Sequence, residues 1–579
     1  MFFSIFVQNN CNLKRLFFIS ILFLALKGYC QKKYPKNYFT NPLDIPTVLS
    51  GTFGELRSNH FHSGVDIKTQ RKEGLKIYAP ADGYVSRIKV AQFGFGKALY
   101  ITHPNGYTTV YAHLKKFAPK IEEYVKFIQY KKENYATGNL FFKEDKFPVN
   151  KGDIIGFTGD TGSSGAPHLH YEVRDSKTAN IINPLFFGIN PIDSKPPVLE
   201  SIKVYTLTKN SRIDNKNKNF ILPIKKIAEG KYSANRIFAA GSIGFAINTF
   251  DRLDLAPNKN GIYSLEMLVN GKRYFYHNVE TFSFSETKFI NLHIDYQHYK
   301  KYRKKYQKLF RVKPNKLSTY KEITNDGKID IQNGFSYSVE IIAKDYAGNK
   351  SSIKIPITGK ESNSLFQKQK DTTEYKIITE KFHRFSKDGI SIAFPKNTFY
   401  EDVYLDFKVE NGIAKVHQPT IPLNKSFTLT FDVSKFSESE KQQLYIANLE
   451  YSKYPRYQNT RKKDSTFYTT SKTLGNYGLL KDSIKPTIKT LYFKDNQWIS
   501  KFTTLKVKIN DIGSGIKNWR ATIDGEWVLM QYNHKKGILT YNFSDKKLVG
   551  SKHIFKIVVS DNVGNTNMLS TTFFKKQVN

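Results

Sequence analysis

From Tyr34 onward the chain alternates apolar and polar residues in short runs, most of them closed by glycine-containing turns. Lys76-Ile77-Tyr78-Ala79, Gly83-Tyr84-Val85-Ser86, Ala98-Leu99-Tyr100-Ile101 and Thr108-Thr109-Val110-Tyr111 read as short strands. Ala81-Asp82-Gly83 and Pro104-Asn105-Gly106 are the tight turns between them. One stretch departs from this period. Between Lys120 and Tyr135 the apolar residues Ile121, Tyr124, Val125 and Ile128 have helical spacing. The pattern predicts an antiparallel β domain over 31–195 that carries a helical insertion.

Asp193-Ser194-Lys195-Pro196-Pro197 has the composition of a linker, and a weak internal repeat follows it. One unit opens at Lys195-Pro196-Pro197-Val198 and closes at Asp345-Tyr346-Ala347-Gly348-Asn349. The other opens at Lys485-Pro486-Thr487-Ile488 and closes at Asp561-Asn562-Val563-Gly564-Asn565. Such strand-turn-strand units predict two Ig-like β-sandwich modules, 196–360 and 481–579. Between them 361–480 is strand-rich, with no fold assigned. Tyr299, Tyr302, Tyr306 and Phe310 stand near helical spacing and predict a solvated helix with one packed aromatic stripe, not a nucleic-acid site. The expected fold class is mainly β throughout.

The first thirty residues differ in kind. Lys14 and Arg15 precede an apolar run from Leu16 to Leu26, which ends at Gly28-Tyr29-Cys30. The run is short for a membrane span and long enough for a signal peptide, so cleavage after Cys30 and export to the periplasm or cell envelope are expected. No transmembrane span is expected after that cleavage. Both cysteines, Cys11 and Cys30, lie in this leader, which excludes a disulfide scaffold in the remaining chain. The formal net charge of +40 favours anionic partners. For an exported chain that means a phospholipid surface or anionic envelope polymer, and no nucleic acid is expected.

Six of the thirteen histidines fall between His60 and His170. His62-Ser63-Gly64-Val65-Asp66 puts an imidazole and a carboxylate on one face of an extended segment, with Gly64 leaving room between them. His168-Leu169-His170 puts two imidazoles on one strand face, and Tyr111-Ala112-His113 does so for a phenol and an imidazole. Nitrogen and carboxylate donors together suit Zn²⁺, whose catalytic sites take three protein ligands. His62, Asp66 and one of His168 and His170 supply such a set. His113 and the other paired histidine then remain for acid–base work. His103, Tyr107 and His60 read as structural, and Tyr111 as either a supporting donor or a packed ring.

Four segments in order carry a resemblance: His62-Ser63-Gly64-Val65-Asp66, Ala79-Pro80-Ala81-Asp82-Gly83, Tyr111-Ala112-His113-Leu114, and Gly162-Ser163-Ser164-Gly165-Ala166-Pro167-His168-Leu169-His170-Tyr171-Glu172. Together they resemble the lysostaphin-type (LytM-type) zinc metallopeptidases, which cut peptide bonds in peptidoglycan. Leu56-Arg57-Ser58-Asn59-His60-Phe61-His62 is similar to exported Bacteroidetes members with β-sandwich tails. The resemblance implies His62, Asp66 and His170 as zinc ligands, His113 and His168 as catalytic groups, and peptidoglycan stem peptides as substrate. The stretch from Leu114 to Gly152 is longer than in minimal members, and beside a groove it would serve as a lid or restrict substrate. Two other function classes stay open: a non-catalytic wall binder or activator of another hydrolase, and an adhesion scaffold built on the tail.

Overall fold

A computed structural model describes residues 34–361, 372–450, 453 and 455–576. The proposed leader, 1–30, lies outside the described residues. Among the described residues no helix is long and apolar enough to cross a membrane.

The N-terminal part contains strands β1 (Leu49–Gly51), β2 (Val65–Lys68), β3 (Lys76–Tyr78), β4 (Gly83–Val90), β5 (Lys97–Thr102) and β6 (Tyr107–Ala112). After β7 (Lys116–Phe117) comes helix α1 (Pro119–Lys131), then β8 (Gly138–Phe141), β9 (Pro148–Val149), β10 (Ile154–Phe157), β11 (His168–Asp175) and β12 (Ile181–Ile182). An antiparallel sheet runs β1-β2-β11-β6-β5-β4-β8, and a smaller one runs β3-β10-β7. The runs read as strands are strands. The helix starts with Pro119 in its first turn, where a missing N–H costs nothing, and buries Ile121, Val125 and Gln129 along one stripe. It is no free flap. The β8 strand that follows it pairs with β4, while Lys126 bonds Asp545 at 2.6 Å and the Tyr130 ring meets Trp527 at 5.2 Å.

The tail is also built of strands. From Val198 to Gly359 one extended sheet system surrounds a core that includes Ile202, Phe245, Ile341 and Ile355. Farther on, two five-stranded sheets enclose Ile392, Leu429, Ile446 and Tyr477. The last module packs the sheet containing Thr504–Asn510 against the sheet containing Lys552–Asp561. The helix expected around Tyr299 is shorter than its aromatic spacing suggests. It covers Tyr296–Tyr302 and stops where Arg303 turns left-handed at φ 61°, so Tyr306 and Phe310 pack from an extended segment.

The N-terminal core does not end at the linker. β12 pairs with the tail strand Thr281–Phe282, and Phe282 packs against Phe53 and Phe61 with ring centroids 4.9 and 5.5 Å away. Val279, Ile290 and Leu317 join the same cluster. Phe282→Ala is therefore expected to destabilise both parts together, by about 3–5 kcal/mol for a buried Phe lost to a cavity. The urea midpoint of the full chain measures it, and a midpoint like that of the unmodified chain would show that the two parts stand independently.

Candidate metal centre

Strand register brings the distant motifs together. On the central strand β11, His170 lies opposite Asp66 of β2 on one side and Ala112 of β6 on the other. Asp66 Oδ1 is 3.0 Å from His62 Nε2 and 2.9 Å from His170 Nδ1, and these two nitrogens are 3.1 Å apart. His168 Nε2 is 3.4 Å from the same oxygen. The His113 ring centroid is 4.8 Å from that of His168 and 5.9 Å from that of His170. All five predicted site residues thus share one cluster.

Hydrogen-bond partners fix which atoms point inward. His62 Nδ1 lies 2.8 Å from the Thr52 carbonyl, which can only accept, so Nδ1 carries the proton and Nε2 keeps its lone pair. His170 Nε2 donates to Glu172 Oε1 at 3.0 Å, which turns Nδ1 toward Asp66. His168 Nδ1 donates to the Ala166 carbonyl at 2.8 Å, and His113 Nδ1 to the Thr161 carbonyl at 2.9 Å. Arg57 Nη2 takes Asp66 Oδ2 at 3.1 Å and leaves Oδ1 to the histidines. Two imidazole nitrogens and a carboxylate oxygen, all acceptors, face one another at about hydrogen-bond distance.

Such a centre requires positive charge. Burial works against a charged His170, but its bonds to Asp66 and Glu172 outweigh it and push the imidazole up to about 9. Burial likewise opposes the Asp66 anion, and the three histidines still hold it well below the usual carboxylate range. A proton on His170 meets part of that demand, and a cation bound by His62, Asp66 and His170 meets all of it. The three donor atoms lie within 4.8 Å of one another, and the donor set of two nitrogens and one carboxylate suits zinc. The residues fit the ion.

His113 has a different character. Burial, with His170 and His168 nearby, pushes its imidazole down to about 3, so it is neutral near pH 7. It adopts φ 63°, a left-handed conformation uncommon for a side chain other than glycine. That turn reverses the alternation just past the end of β6. Tyr111, expected on the His113 face, instead points into the core, where its hydroxyl meets Thr109 Oγ1 at 2.9 Å and its ring meets Tyr171 at 5.5 Å. Gly64 also serves another purpose than expected. A Cβ there would stand 2.3 Å from the Tyr171 carbonyl oxygen, so the glycine admits the neighbouring strand and does not merely separate the ligands. His103 is bonded to the Asp82 carbonyl and Thr109, and His60 to Asn59; neither enters the cluster.

Sequence reasoning missed the supports. Thr52, Arg57, Thr161 and Ala166 act through single bonds that no spacing announces. Glu172 and Arg174 did leave a signal: they continue the His168–His170 face at alternate positions of β11. Glu172 is completely buried, and Arg174 Nε donates to its Oε2 at 2.6 Å. Burial disfavours the Glu172 anion, but Arg174 and the His170 bond prevail and lower it to about 2.

Comparison with known proteins agrees with the motif reading. Residues 60–130 match the family described as Peptidase family M23, and 374–482, the stretch without an assigned fold, match a Zu5-like domain. A DD-carboxypeptidase/endopeptidase of Neisseria meningitidis is 35% identical over 22% of this chain and 25% of its own length. An uncharacterized metalloprotease of Haemophilus influenzae is 33% identical over 26% of this chain and 27% of its own. A peptidoglycan DD-endopeptidase of Vibrio cholerae is 28% identical over 30% of this chain and 32% of its own. The chain thus spans about a quarter to a third of the length of these relatives.

Proposed function

We propose that this chain, which carries a Peptidase family M23 domain, is an exported zinc-dependent endopeptidase that hydrolyses peptide crosslinks of peptidoglycan. One observation carries the reading: His62 Nε2, His170 Nδ1 and Asp66 Oδ1 converge with their other ring or carboxylate atoms already engaged, and two further histidines stand beside them. The matched relatives include enzymes named for DD-endopeptidase activity, which supports a D,D-crosslink as the bond cleaved. The leader supports export, and the charge of +40 supports retention at anionic envelope polymer.

His62, Asp66 and His170 would hold the zinc. When bound, it supplies a Lewis acid that polarises the scissile carbonyl and acidifies water. The protein's own part is proton handling. His113 is kept neutral by burial, so its inward Nε2 carries a lone pair and no proton, and its Nδ1–H bond to Thr161 fixes the ring. His168 is fixed in the same way by Ala166. One of the pair takes the proton of the attacking water at its inward Nε2, and the other, when it carries a second proton at Nε2 as an imidazolium, donates that proton's hydrogen bond to the developing oxyanion. Glu172, by holding His170 Nε2, orients a ligand and raises its basicity.

The test is to measure zinc content and hydrolysis of purified muropeptides on the same preparation of the full chain. About one equivalent of zinc and products of one cleaved peptide bond are expected. A zinc-loaded, folded chain that leaves muropeptides intact would favour the wall-binding reading. A folded chain with no affinity for zinc would remove the metal assignment.

A further inference from the structure

A second constellation lies at the junction between the N-terminal domain and the tail. Asp193, in the linker, Asp251, directly after the strand Ile237–Phe250, and Asp345, in the turn before the strand Lys350–Gly359, bring carboxylate oxygens within 4.8 Å of one another. They line a cavity of about 130 Å³ that Thr52, Phe53, Asn183 and Leu185 of the N-terminal domain close from the other side. Three carboxylates in a small enclosed space repel. Burial first, and then this mutual repulsion, raises both Asp193 and Asp251 above the ordinary carboxylate range.

The protein's own groups leave part of this charge unanswered. Asp345 Oδ1 accepts from the Gly348 and Asn349 amides, and Asp193 Oδ1 from the Lys195 amide. Asp251 is only 2% exposed, yet its Oδ1 has no hydrogen-bond partner. Among the described residues no lysine or arginine forms an ion pair with any of the three; the adjacent Lys195 goes to Asp254. A buried carboxylate oxygen facing two other carboxylates is costly unless a proton or a cation meets it. Burial and that repulsion push Asp251 up to about 8, so without a cation it holds a proton beside Asp193, and a cation would take the proton's place.

The arrangement recurs in the last module. Asp482, Asp511 and Asp561 again converge within 4.8 Å. Asp482 precedes the Lys485-Pro486 opening as Asp193 precedes Lys195-Pro196, and Asp511 follows the strand Thr504–Asn510 as Asp251 follows its own. Asp561 accepts from the Gly564 and Asn565 amides as Asp345 does from Gly348 and Asn349. Asn349 Nδ2 reaches the Asp193 carbonyl at 3.2 Å, and Asn565 Nδ2 the Asp482 carbonyl at 3.0 Å. The oxygen left unpartnered in this second triad is Asp511 Oδ1, the counterpart of Asp251 Oδ1. Recurrence of the same free oxygen at the same place in two modules marks it as a feature of the unit.

We infer that Asp193, Asp251 and Asp345 form a calcium site that joins the N-terminal domain to the first tail module. All-oxygen, anionic donors select a hard cation, and oxygens this close can share one Ca²⁺ at ~2.3–2.6 Å each. The ion would lock the junction from which Thr52 reaches the metal centre. Thr52 Oγ1 accepts from the Gly261 amide of the tail at 2.9 Å, and its carbonyl holds His62.

The experiment uses the zinc-loaded full chain and Ca²⁺ itself. Calorimetric titration gives the number of Ca²⁺ bound, and thermal unfolding is followed with and without it. Asp251→Asn keeps the shape and removes the unanswered charge. It is expected to bind one equivalent fewer than the unmodified chain, to lose the matching part of the Ca²⁺-induced rise in Tm, and to melt no lower than the unmodified chain in Ca²⁺-free buffer. Asp193→Asn, at the more exposed ligand, is expected to weaken the same equivalent. Unchanged stoichiometry in both variants, or an unmodified chain that takes up no Ca²⁺ at millimolar concentration, would overturn the proposal. So would a lower Tm of Asp251→Asn without Ca²⁺, because the carboxylate would then be held by the protein alone.

Discussion

Asp66→Ala is expected to abolish both zinc retention and muropeptide hydrolysis while leaving the chain folded. The carboxylate is one of three proposed ligands, and two histidines alone hold zinc weakly. Folding should survive because Arg57, the other partner of Asp66, is about a third exposed and also lies 3.6 Å from Glu55. His170→Ala should behave in the same way. His113→Ala and His168→Ala should retain zinc and lose rate, since neither belongs to the proposed ligand set. General acid–base groups contribute ~10²–10⁴-fold, or about 3–5 kcal/mol of barrier. Zinc content beside initial rate separates the two classes in one experiment. Loss of zinc in His168→Ala with retention in His170→Ala would exchange the roles of the paired histidines.

The largest combined effect on stability and metal binding is expected from Glu172→Ala. Glu172 is fully buried between His170 and Arg174, and the Arg174 side chain is only 12% exposed. Removing the anion leaves that guanidinium without its partner carboxylate, which costs about 3–5 kcal/mol for a broken buried pair. It also frees His170 Nε2, and losing a supporting carboxylate typically weakens metal affinity about 10–100-fold. The double variant Glu172→Ala/Arg174→Ala distinguishes these effects. It should recover part of the stability by removing the stranded charge, and none of the metal affinity. Equal losses of stability in the single and double variants would mean that the ion pair is not what Glu172 contributes.

The clustering of His62, Asp66, His168 and His170 was legible because its information is local. His62 precedes β2 and reaches Asp66 across a bend at Gly64, so that pair shows in the sequence by its closeness and not by alternation. His168 and His170 stand two apart on β11, so strand alternation alone puts both on one face. Tyr111 and His113 obey the same spacing and nonetheless diverge, because alternation assumes a continuing strand and His113 turns left-handed directly after it. Histidine tolerates that conformation without advertising it. Gly64 shows the complementary difficulty. Its need for a missing Cβ comes from Tyr171, more than a hundred positions away in the chain, and only the fold reveals it. Long separation also hid the shared core, since the pairing of Ile182 with Thr281 has no counterpart in the linker composition that suggested a boundary.

The last module leans back over the N-terminal domain, and this has a consequence for the order of assembly. Lys535 bonds Asp160 across 375 residues, and Asp160 adjoins Thr161, whose carbonyl fixes His113. Gln92 and Phe93, in the same loop as Phe95, whose ring lies 5.1 Å from that of His170, meet Tyr532 and His534. Contacts of such sequence separation close late, and domains in a growing chain tend to fold from the N-terminus onward. The five clustered histidine and aspartate side chains all come from the first third of the chain, but the core that carries them also needs Val279, Phe282, Ile290 and Leu317, so they can settle once a little over half of it has been made. The rim beside His113 must wait for nearly the final stretch of synthesis. Maturation of the centre therefore has two stages separated in time, and a chain truncated before its last module would present all five clustered side chains inside an unfinished wall.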